Sequence, residues 1–388
     1  MRAEKLREMP TWLLIVIGVI LALIVLAAVC VVLLQDRIVY VRDIGEPMLL
    51  PEMYGFEEGV SYENVTINTR DGERLHGWFF KARMVVNGER AGNPLLQESV
   101  KLTPTIFWLH ANAGTVCLRL PSIYNVVTFA KCNVFIIDYR GYGLSTGLPS
   151  EQGLKIDAED SLKYLLSRSD IDPKKIVVFG RSLGGAVAVH LATNPETADK
   201  FGALVLENTF STLADLAVKL LPAFRPLVPF LHSHWLSIEE IKKHSVKVPT
   251  MFFAAVHDEM IPHEQMCALY EAARQSLDEN KRDMVRIRKF LRGGHMSLPE
   301  SNLMYYSWLR DWLAEVFPEI TAQLSSEALS QLQFQLNHPQ PASDAETDHS
   351  EADSSDDDDG DDDSDDQKKE EVSALRERSV ATSQQVDD

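Results

Sequence analysis

Residues 176–192, IVVFGRSLGGAVAVHLA, constrain the fold most, because they predict a strand that turns abruptly into a helix. Ser182 stands at the joint, with Gly180 and Gly184 two positions to either side. This G-x-S-x-G spacing is typical of a nucleophile elbow, in which a strained serine backbone pushes the hydroxyl above a sheet. Small residues are needed at the two glycine positions, because a side chain there would collide with the crossing strand or helix. An ordinary Gly-rich turn explains the same pattern, so the rest of the chain must decide.

Strand-like and helix-like segments alternate over residues 40–318. This alternation predicts an α/β domain with a mostly parallel sheet of about eight strands and helices on both faces. An antiparallel hairpin is expected first, at 64–69 and 75–80, and the remaining strands at 104–110, 133–139, 175–180, 203–208, 249–258 and 285–291. Helices are expected at 117–130, 151–168, 183–193, 263–276 and 302–316.

The interval 208–248 breaks this alternation. Three prolines, Pro222, Pro226 and Pro229, prevent one continuous helix, and several Leu and Phe side chains give the interval an apolar face. We interpret it as a small helical cap that helps to form a substrate pocket; a buried connector is the alternative.

Residues 12–34 form a run without a charged residue. At ~1.5 Å per residue, such a helix spans a hydrocarbon core of ~30 Å, and it is longer than the apolar part of a cleaved signal sequence, ~7–15 residues. It predicts a retained signal-anchor. Three basic residues precede the run, within 1–11, and two follow it closely, which favours a cytosolic N-terminus and a single-pass type II protein whose catalytic domain is luminal or extracellular. Asn64, in the sequon Asn-Val-Thr, is then a glycosylation candidate.

The C-terminal end has a different composition. Residues 344–388 contain nineteen Asp and Glu but only four Lys and Arg, so most of the chain's net charge of −19 lies there. We expect a disordered acidic tail, joined by a linker at 319–343 that is helical in one interpretation. Such a tail suits weak binding of Ca²⁺ or of a basic partner, and it argues against nucleic-acid binding.

A nucleophilic serine needs a base and an acid, and these are expected at the carboxyl ends of later strands. His295 follows the last predicted strand on a Gly-Gly turn and is the candidate base. Asp258 ends the preceding strand and is the candidate acid, while Glu207, at the end of ALVLEN, is a rival for that role.

The predicted strand 104–110 runs into the small-residue loop His110-Ala111-Asn112-Ala113-Gly114. Such a loop can direct backbone N–H groups at a tetrahedral oxyanion, and the amides of Asn112 and Leu183 are the natural pair. His110 is expected to anchor this loop rather than to act as a base. The four cysteines have no metal-site spacing, so buried thiols are expected, with one disulfide as the alternative. No metal and no cofactor is predicted.

The segments LHANAG, DYRGYGLSTG, GRSLGGAVAVHLA, ENTFST and HDEMIP follow one another behind the apolar run and together resemble the alpha/beta-hydrolase superfamily. The resemblance covers about residues 12–318 and implies the alpha/beta-hydrolase fold. By motif position it implies that Ser182 is the nucleophile, Asp258 the acid and His295 the base. The superfamily usually has His-Gly-Asn-Ala at residues 110–113; if that glycine needs a positive φ, Ala111 strains the loop.

These observations predict a membrane-anchored serine hydrolase that cleaves carboxylic esters or thioesters of lipid or acyl substrates. Two alternatives stay open. One is a catalytically silent scaffold whose acidic tail binds partners, and the other is a serine peptidase on the same fold.

Overall fold

The computed structural model describes residues 10–42, 44, 49–82, 100–101, 103–302 and 304–318. The predictions for the first residues of the chain, for the linker at 319–343 and for the acidic tail at 344–388 lie outside the described residues.

An eight-stranded sheet forms the centre of the molecule, in the order β1-β2-β4-β3-β5-β6-β7-β8. The strands are β1 Tyr62–Asn68, β2 Arg74–Phe80, β3 Thr105–Leu109, β4 Asn133–Ile137, β5 Ile176–Arg181, β6 Ala203–Glu207, β7 Thr250–Ala255 and β8 Val285–Phe290. β1 and β2 form the predicted antiparallel hairpin, and β2 also runs antiparallel to β4. All the other neighbouring strands are parallel, so the predicted mostly parallel sheet is confirmed.

The α-helices are α1 Thr11–Val39, α2 Leu120–Asn125, α3 Glu151–Ser167, α4 Leu183–Thr193, α5 Leu213–Leu220, α6 Ser237–His244, α7 His263–Gln275 and α8 Tyr305–Val316. Short 3₁₀ helices lie at Pro51–Tyr54, Val116–Arg119, Pro173–Lys175, Pro222–Phe230 and Glu279–Met284. The single helix predicted at 117–130 is a composite: a 3₁₀ turn leads into α2, and a π-helical turn, Val126–Ala130, follows it.

The core lies on both faces of the sheet, because the central strands are apolar along their whole length. β3, β4, β5, β6 and β7 contain only buried residues, and successive side chains point to opposite faces. Phe107 and Val178 belong to one apolar cluster, whereas Ile106 and Val177 belong to the other. Helices therefore cover both faces, and the carboxyl ends of the parallel strands meet at one edge of the sheet.

The cap interval contains α5, the 3₁₀ helix Pro222–Phe230 and α6. Proline explains the break between the first two, since Pro222 begins the second and lacks the N–H that would continue α5. Neither of these two helices contains a buried residue, so they lie on the surface of the domain. The role of the interval in forming a substrate pocket stays a prediction.

α1 is long and apolar enough to cross a membrane, within the residues that the structure describes. It extends five residues past the predicted end of the apolar run, to Val39. The side chain of Gln35 accounts for part of this extension, because it donates to the carbonyl oxygen of Phe230 at 3.1 Å and accepts from the N–H of His232 at 2.6 Å. The last turns of the helix are thus held by the cap.

Candidate active site

The strand-to-helix joint has the geometry of a nucleophile elbow. Ser182 connects β5 to α4 with φ 54° and ψ −119°, a conformation that L-residues rarely adopt. A side chain at Gly184 would collide with the carbonyl of Leu109, and one at Gly180 would collide with the carbonyl of Gly184. The turn is therefore as tight as the sequence predicts. The N–H of Ser182 donates to the carbonyl of Glu207 at 2.9 Å, which fixes the elbow against the next strand.

Ser182, His295 and Asp258 form one hydrogen-bonded chain at the carboxyl edge of the sheet. His295 Nε2 lies 3.0 Å from Ser182 Oγ, and His295 Nδ1 lies 2.8 Å from Asp258 Oδ2. The side chains of His295 and Asp258 are both buried. A carboxylate at Nδ1 selects the tautomer whose Nε2 is free to accept the serine proton. The arrangement is that of a general base between a nucleophile and an orienting acid.

Two further charged residues hold His295 in position. Glu259 accepts the backbone N–H of His295 at 2.9 Å, and Arg181 donates from Nη2 to the backbone carbonyl of His295 at 2.6 Å. The sequence predicted neither role. Arg181 stands next to Ser182 in the chain, so the nucleophile and the backbone of the base share a direct link. Glu259 follows Asp258 directly, so the acid and this second carboxylate come from one loop.

Glu207, the rival acid, lies elsewhere. Its carboxylate faces the Arg181 guanidinium, with 3.0 Å between Nε and Oε1, and accepts a hydrogen bond from the hydroxyl of Tyr305. Glu207 is almost fully buried, and this burial raises the pKa of its carboxyl group. Its hydrogen-bonding partners make it a brace between β5, β6 and α8 rather than a partner of His295 Nδ1.

The small-residue loop 110–114 lies directly beside the elbow, since the carbonyls of Leu109 and His110 crowd Gly184. Positive φ values fall on Ala113 (68°) and Gly114 (67°), and Ala111 is not among the described residues with positive φ. Replacement of the superfamily's glycine by Ala111 therefore causes no strain of that kind. The second predicted oxyanion donor, Leu183, is the first residue of α4, where N–H groups have no acceptor within the helix.

The side chain of Asn112 binds the last residue of α1 and the segment that follows it. Its Nδ2 donates to the carbonyl of Val39 at 2.6 Å, and its Oδ1 accepts from the N–H of Val41 at 3.1 Å and from the hydroxyl of Tyr142 at 2.8 Å. The residue whose backbone amide is a candidate oxyanion donor is thus joined through its side chain to the end of the apolar helix. The sequence carries no signal for this contact.

His110 holds the loop from inside the protein. The side chain is fully buried, its Nδ1 lies 2.7 Å from the carbonyl of Ala111, and its ring lies 4.3 Å from that of Tyr139. Burial, followed by the nearby charge of Arg119, lowers the pKa of His110 to about 4. A neutral, buried imidazole agrees with the predicted anchoring role. Arg119 also donates to the carbonyl of Ala113 at 2.7 Å.

A cavity of about 860 Å³ opens next to this loop. Its walls come from the end of α1, from β1 and β2, and from the loops after β3 and β4; they include Arg37, Tyr40, Arg42, Trp78 and Leu144. None of its described lining residues belongs to the Ser182–His295–Asp258 chain. The volume lies in the range of ~300–1,000 Å³ that is usual for small-molecule sites.

The remaining predicted residues lie away from the elbow. Asn64 is an exposed residue of the edge strand β1, and its side chain bonds Glu58 and the indole N–H of Trp78. The four cysteines, all within the described residues, form no disulfide. Burial raises the pKa of Cys132 to about 12, which keeps it a thiol. No group of His, Cys, Asp and Glu in the described part of the chain has the arrangement of a metal site.

Comparison with known sequences identifies relatives over most of the domain. The family described as alpha/beta hydrolase fold matches residues 104–234, which include the elbow. The alpha/beta hydrolase domain-containing protein WAV2 of Arabidopsis thaliana is 37% identical over 268 residues, which cover 65% of this chain and 79% of that protein. The uncharacterized membrane protein YNL320W of Saccharomyces cerevisiae is 31% identical over 257 residues, 66% of this chain and 81% of that protein.

Protein bem46 of Schizosaccharomyces pombe is 38% identical over 215 residues, 55% of this chain and 66% of that protein. Among solved structures, the Pyrococcus furiosus esterase Pf2001 superposes with a TM-score of 0.52 at 18% identity, covering 71% of this chain and 96% of that chain. At this identity the likeness concerns the fold.

Proposed function

The chain belongs to the alpha/beta-hydrolase family, and we propose that it is a membrane-anchored serine hydrolase that cleaves carboxylic esters or thioesters. One observation carries the proposal: Ser182 Oγ, His295 and Asp258 are linked by hydrogen bonds of 3.0 and 2.8 Å on a strained elbow. Strain at Ser182 and the burial of two polar partners in line cost stability, and such features cluster at functional sites.

In the proposed reaction, Ser182 Oγ attacks the substrate carbonyl carbon while its proton passes to His295 Nε2. The carbonyl electron pair moves to oxygen, and the N–H groups of Leu183 and Asn112 are the proposed donors to that oxyanion. When the carbonyl re-forms, the alcohol or thiol leaves with the proton from His295. Water then attacks the acyl-enzyme by the same route and releases the acid. The Asp258 carboxylate stabilises the imidazolium in both halves.

Lipid or long acyl esters are the proposed substrates. The apolar helix α1 ends beside the 110–114 loop, and the cavity there has apolar walls in Trp78, Leu144 and Tyr62. Each buried methylene of an acyl chain contributes ~0.8 kcal/mol, so chain length is expected to matter strongly. A steep preference for p-nitrophenyl acetate over the octanoate would contradict this substrate class.

Topology forms part of the proposal. The basic residues Arg2, Lys5 and Arg7 precede the apolar run, against Arg37 and Arg42 after it, which favours an N-terminus in the cytosol. The hydrolase domain would then lie in the lumen or outside the cell.

Activity-based labelling tests the chemistry directly. A fluorophosphonate probe should label the wild-type full-length protein and should not label Ser182→Ala. Ser211→Ala is the matched control, because Ser211 is also buried near this edge and its hydroxyl bonds Gln265 and Asp215 rather than a histidine, so labelling should persist. A folded wild-type protein that takes up no probe would reject the hydrolase proposal and favour a scaffold.

A further inference from the structure

The cap exposes large apolar side chains without a protein partner in the described residues. Leu220, Leu221 and Phe230 are 56%, 58% and 59% exposed, and we call them the cap surface. They lie at the end of α5 and at the end of the 3₁₀ helix Pro222–Phe230, which packs against α5. Leu221 directly precedes this 3₁₀ helix and Phe230 is its last residue, so the exposed side chains lie at both of its ends.

The cap surface lies at a defined level of α1. Gln35 is the first residue after the apolar run 12–34, and its side chain bonds the backbone of Phe230 and of His232. If residues 12–34 fill the hydrocarbon core, Gln35 lies where acyl chains give way to headgroups. The backbone of Phe230 is then held at the same depth, one hydrogen bond away from the membrane helix.

A second set of contacts fixes the orientation of the cap. The hydroxyl of Tyr40 lies 2.8 Å from Ser233 Oγ and accepts from the indole N–H of Trp235 at 3.1 Å. All three side chains are buried. Because Tyr40 follows α1 directly, the helix and the cap are joined without an intervening flexible linker, and the cap surface cannot turn away from the bilayer independently.

The charges around the cap surface suit a lipid surface. Lys219 and Arg225 are exposed and form no ion pair within the described part of the chain, although the whole protein carries a net charge of −19. Exposed Lys and Arg beside apolar side chains are typical of segments that lie in the membrane interface, where they meet lipid phosphates.

We propose that the cap surface inserts into the headgroup and upper acyl region of the bilayer that α1 spans, with Lys219 and Arg225 on lipid phosphates. This inference rests on the proposed membrane anchor and not on the hydrolase chemistry. It turns the carboxyl edge of the sheet, from which the cap arises, toward the membrane. Acyl lipids would then reach Ser182 from the bilayer rather than from water.

Site-directed fluorescence tests the insertion. Full-length protein with Cys30→Ala receives either Phe230→Cys or, as the matched control, Phe129→Cys. Phe129 is 53% exposed and precedes β4, at the opposite, amino edge of the sheet. Each variant is labelled with the environment-sensitive dye NBD, reconstituted into phosphatidylcholine–phosphatidylserine vesicles and floated to verify anchoring. The singly substituted Cys30→Ala protein gives the labelling background of the other cysteines.

The expected result is strong quenching of the label at position 230 by doxyl-labelled lipid and weak quenching by aqueous iodide, with the reverse pattern at position 129. Equal iodide quenching at both positions would overturn the proposal. Protection from iodide without doxyl quenching would also overturn it, because it would mean that protein covers the cap surface. The measurement needs no catalysis, so loss of fluorophosphonate labelling and loss of insertion are separate outcomes, while failure to float would reject the anchor itself.

Discussion

Replacing Asp258 by Asn should abolish turnover and leave the fold intact. One carboxylate oxygen of Asp258 accepts the backbone N–H groups of Met260 and Ile261 at 2.9 and 2.7 Å, and the other faces His295 Nδ1 at 2.8 Å. The oxygen of an asparagine amide must keep the two backbone donors, so its NH₂ group faces the imidazole. His295 Nδ1 then becomes an acceptor, and the proton moves to Nε2.

With its proton on Nε2, His295 cannot accept the proton of Ser182. A wrong tautomer of this kind lowers kcat by about 10⁴ in triad enzymes, and we expect a similar loss here. The free energy of unfolding of Asp258→Asn should differ little from that of wild type, because both backbone hydrogen bonds of the loop are kept.

Glu207→Gln is the matched variant, since it makes the same chemical change at the rival acid. It leaves the buried Arg181 guanidinium without its charge partner, and breaking a buried ion pair costs about 3–5 kcal/mol of folding stability. For a domain of this size each kcal/mol lowers Tm by about 2–4 °C, so a drop of about ten degrees is expected. Turnover should fall much less, because Arg181 still donates to the carbonyl of His295.

Steady-state hydrolysis of a p-nitrophenyl ester and thermal unfolding of both variants separate these effects. Exchanged phenotypes would show that the acid is Glu207, with the serine-hydrolase proposal intact. An Asp258→Asn protein with nearly wild-type kcat would refute the tautomer argument.

Three further outcomes follow from the contacts described above. Asn112→Ala removes three hydrogen bonds of about 1 kcal/mol each between the 110–114 loop, Tyr142 and the end of α1, so kcat should fall about tenfold or more with KM little changed. Tyr142→Phe removes one of the three hydrogen bonds and should lower kcat less. Equal kinetics of Asn112→Ala and wild type would contradict this prediction. Because the pKa of His110 is about 4 in the folded protein against 6.5 for an ordinary histidine, the folded protein should lose roughly 3 kcal/mol of stability as pH falls from about 6.5 to about 4. Urea unfolding at several pH values should show that the unfolding free energy of His110→Asn depends less on pH than that of wild type. The same pH dependence in both proteins would count against this role of His110. In sealed microsomes the hydrolase domain should resist added protease, and a glycosidase-sensitive mass shift should vanish in Asn64→Gln; digestion without detergent would reverse the proposed topology.

The sequence predicts the sheet well because its central strands are buried on both faces. Their apolar runs are continuous and end sharply, so predicted and observed boundaries of β5 differ by one residue at each end, and α4 agrees at both ends. The elbow is also predictable from the sequence, since Gly180 and Gly184 leave little choice of turn. The break at Pro222 follows from the missing N–H of proline, although the 3₁₀ geometry after it does not.

The sequence favours Asp258 as the acid, but position at a strand end does not exclude Glu207, because both residues are predicted to end strands at the same edge. The structure distinguishes them through partners from distant parts of the chain: Glu207 meets Tyr305 of α8, and Asp258 meets His295. Periodicity describes what a segment buries, not which polar atom it meets. Arg181 shows the same limit, since its carbonyl partner at residue 295 lies 114 positions away.

The end of α1 is the extreme case. The sequence of residues 35–41, QDRIVYV, does not show which of these side chains the domain buries. Yet Gln35 is only 3% exposed and Tyr40 only 1%, and the polar atoms of both side chains form hydrogen bonds with the cap. Asn112 binds the backbone on either side of Tyr40. A simple tether would not need to bury polar side chains at its end, since water would solvate them at no cost. The burial of Gln35 and Tyr40 with hydrogen-bonding partners has a physical reason if the helix also orients the domain. The two elements that the end of the helix contacts, the cap and the 110–114 loop, are those that flank Ser182. The helix α1 is therefore better regarded as part of the structure of the hydrolase domain than as an attachment to it.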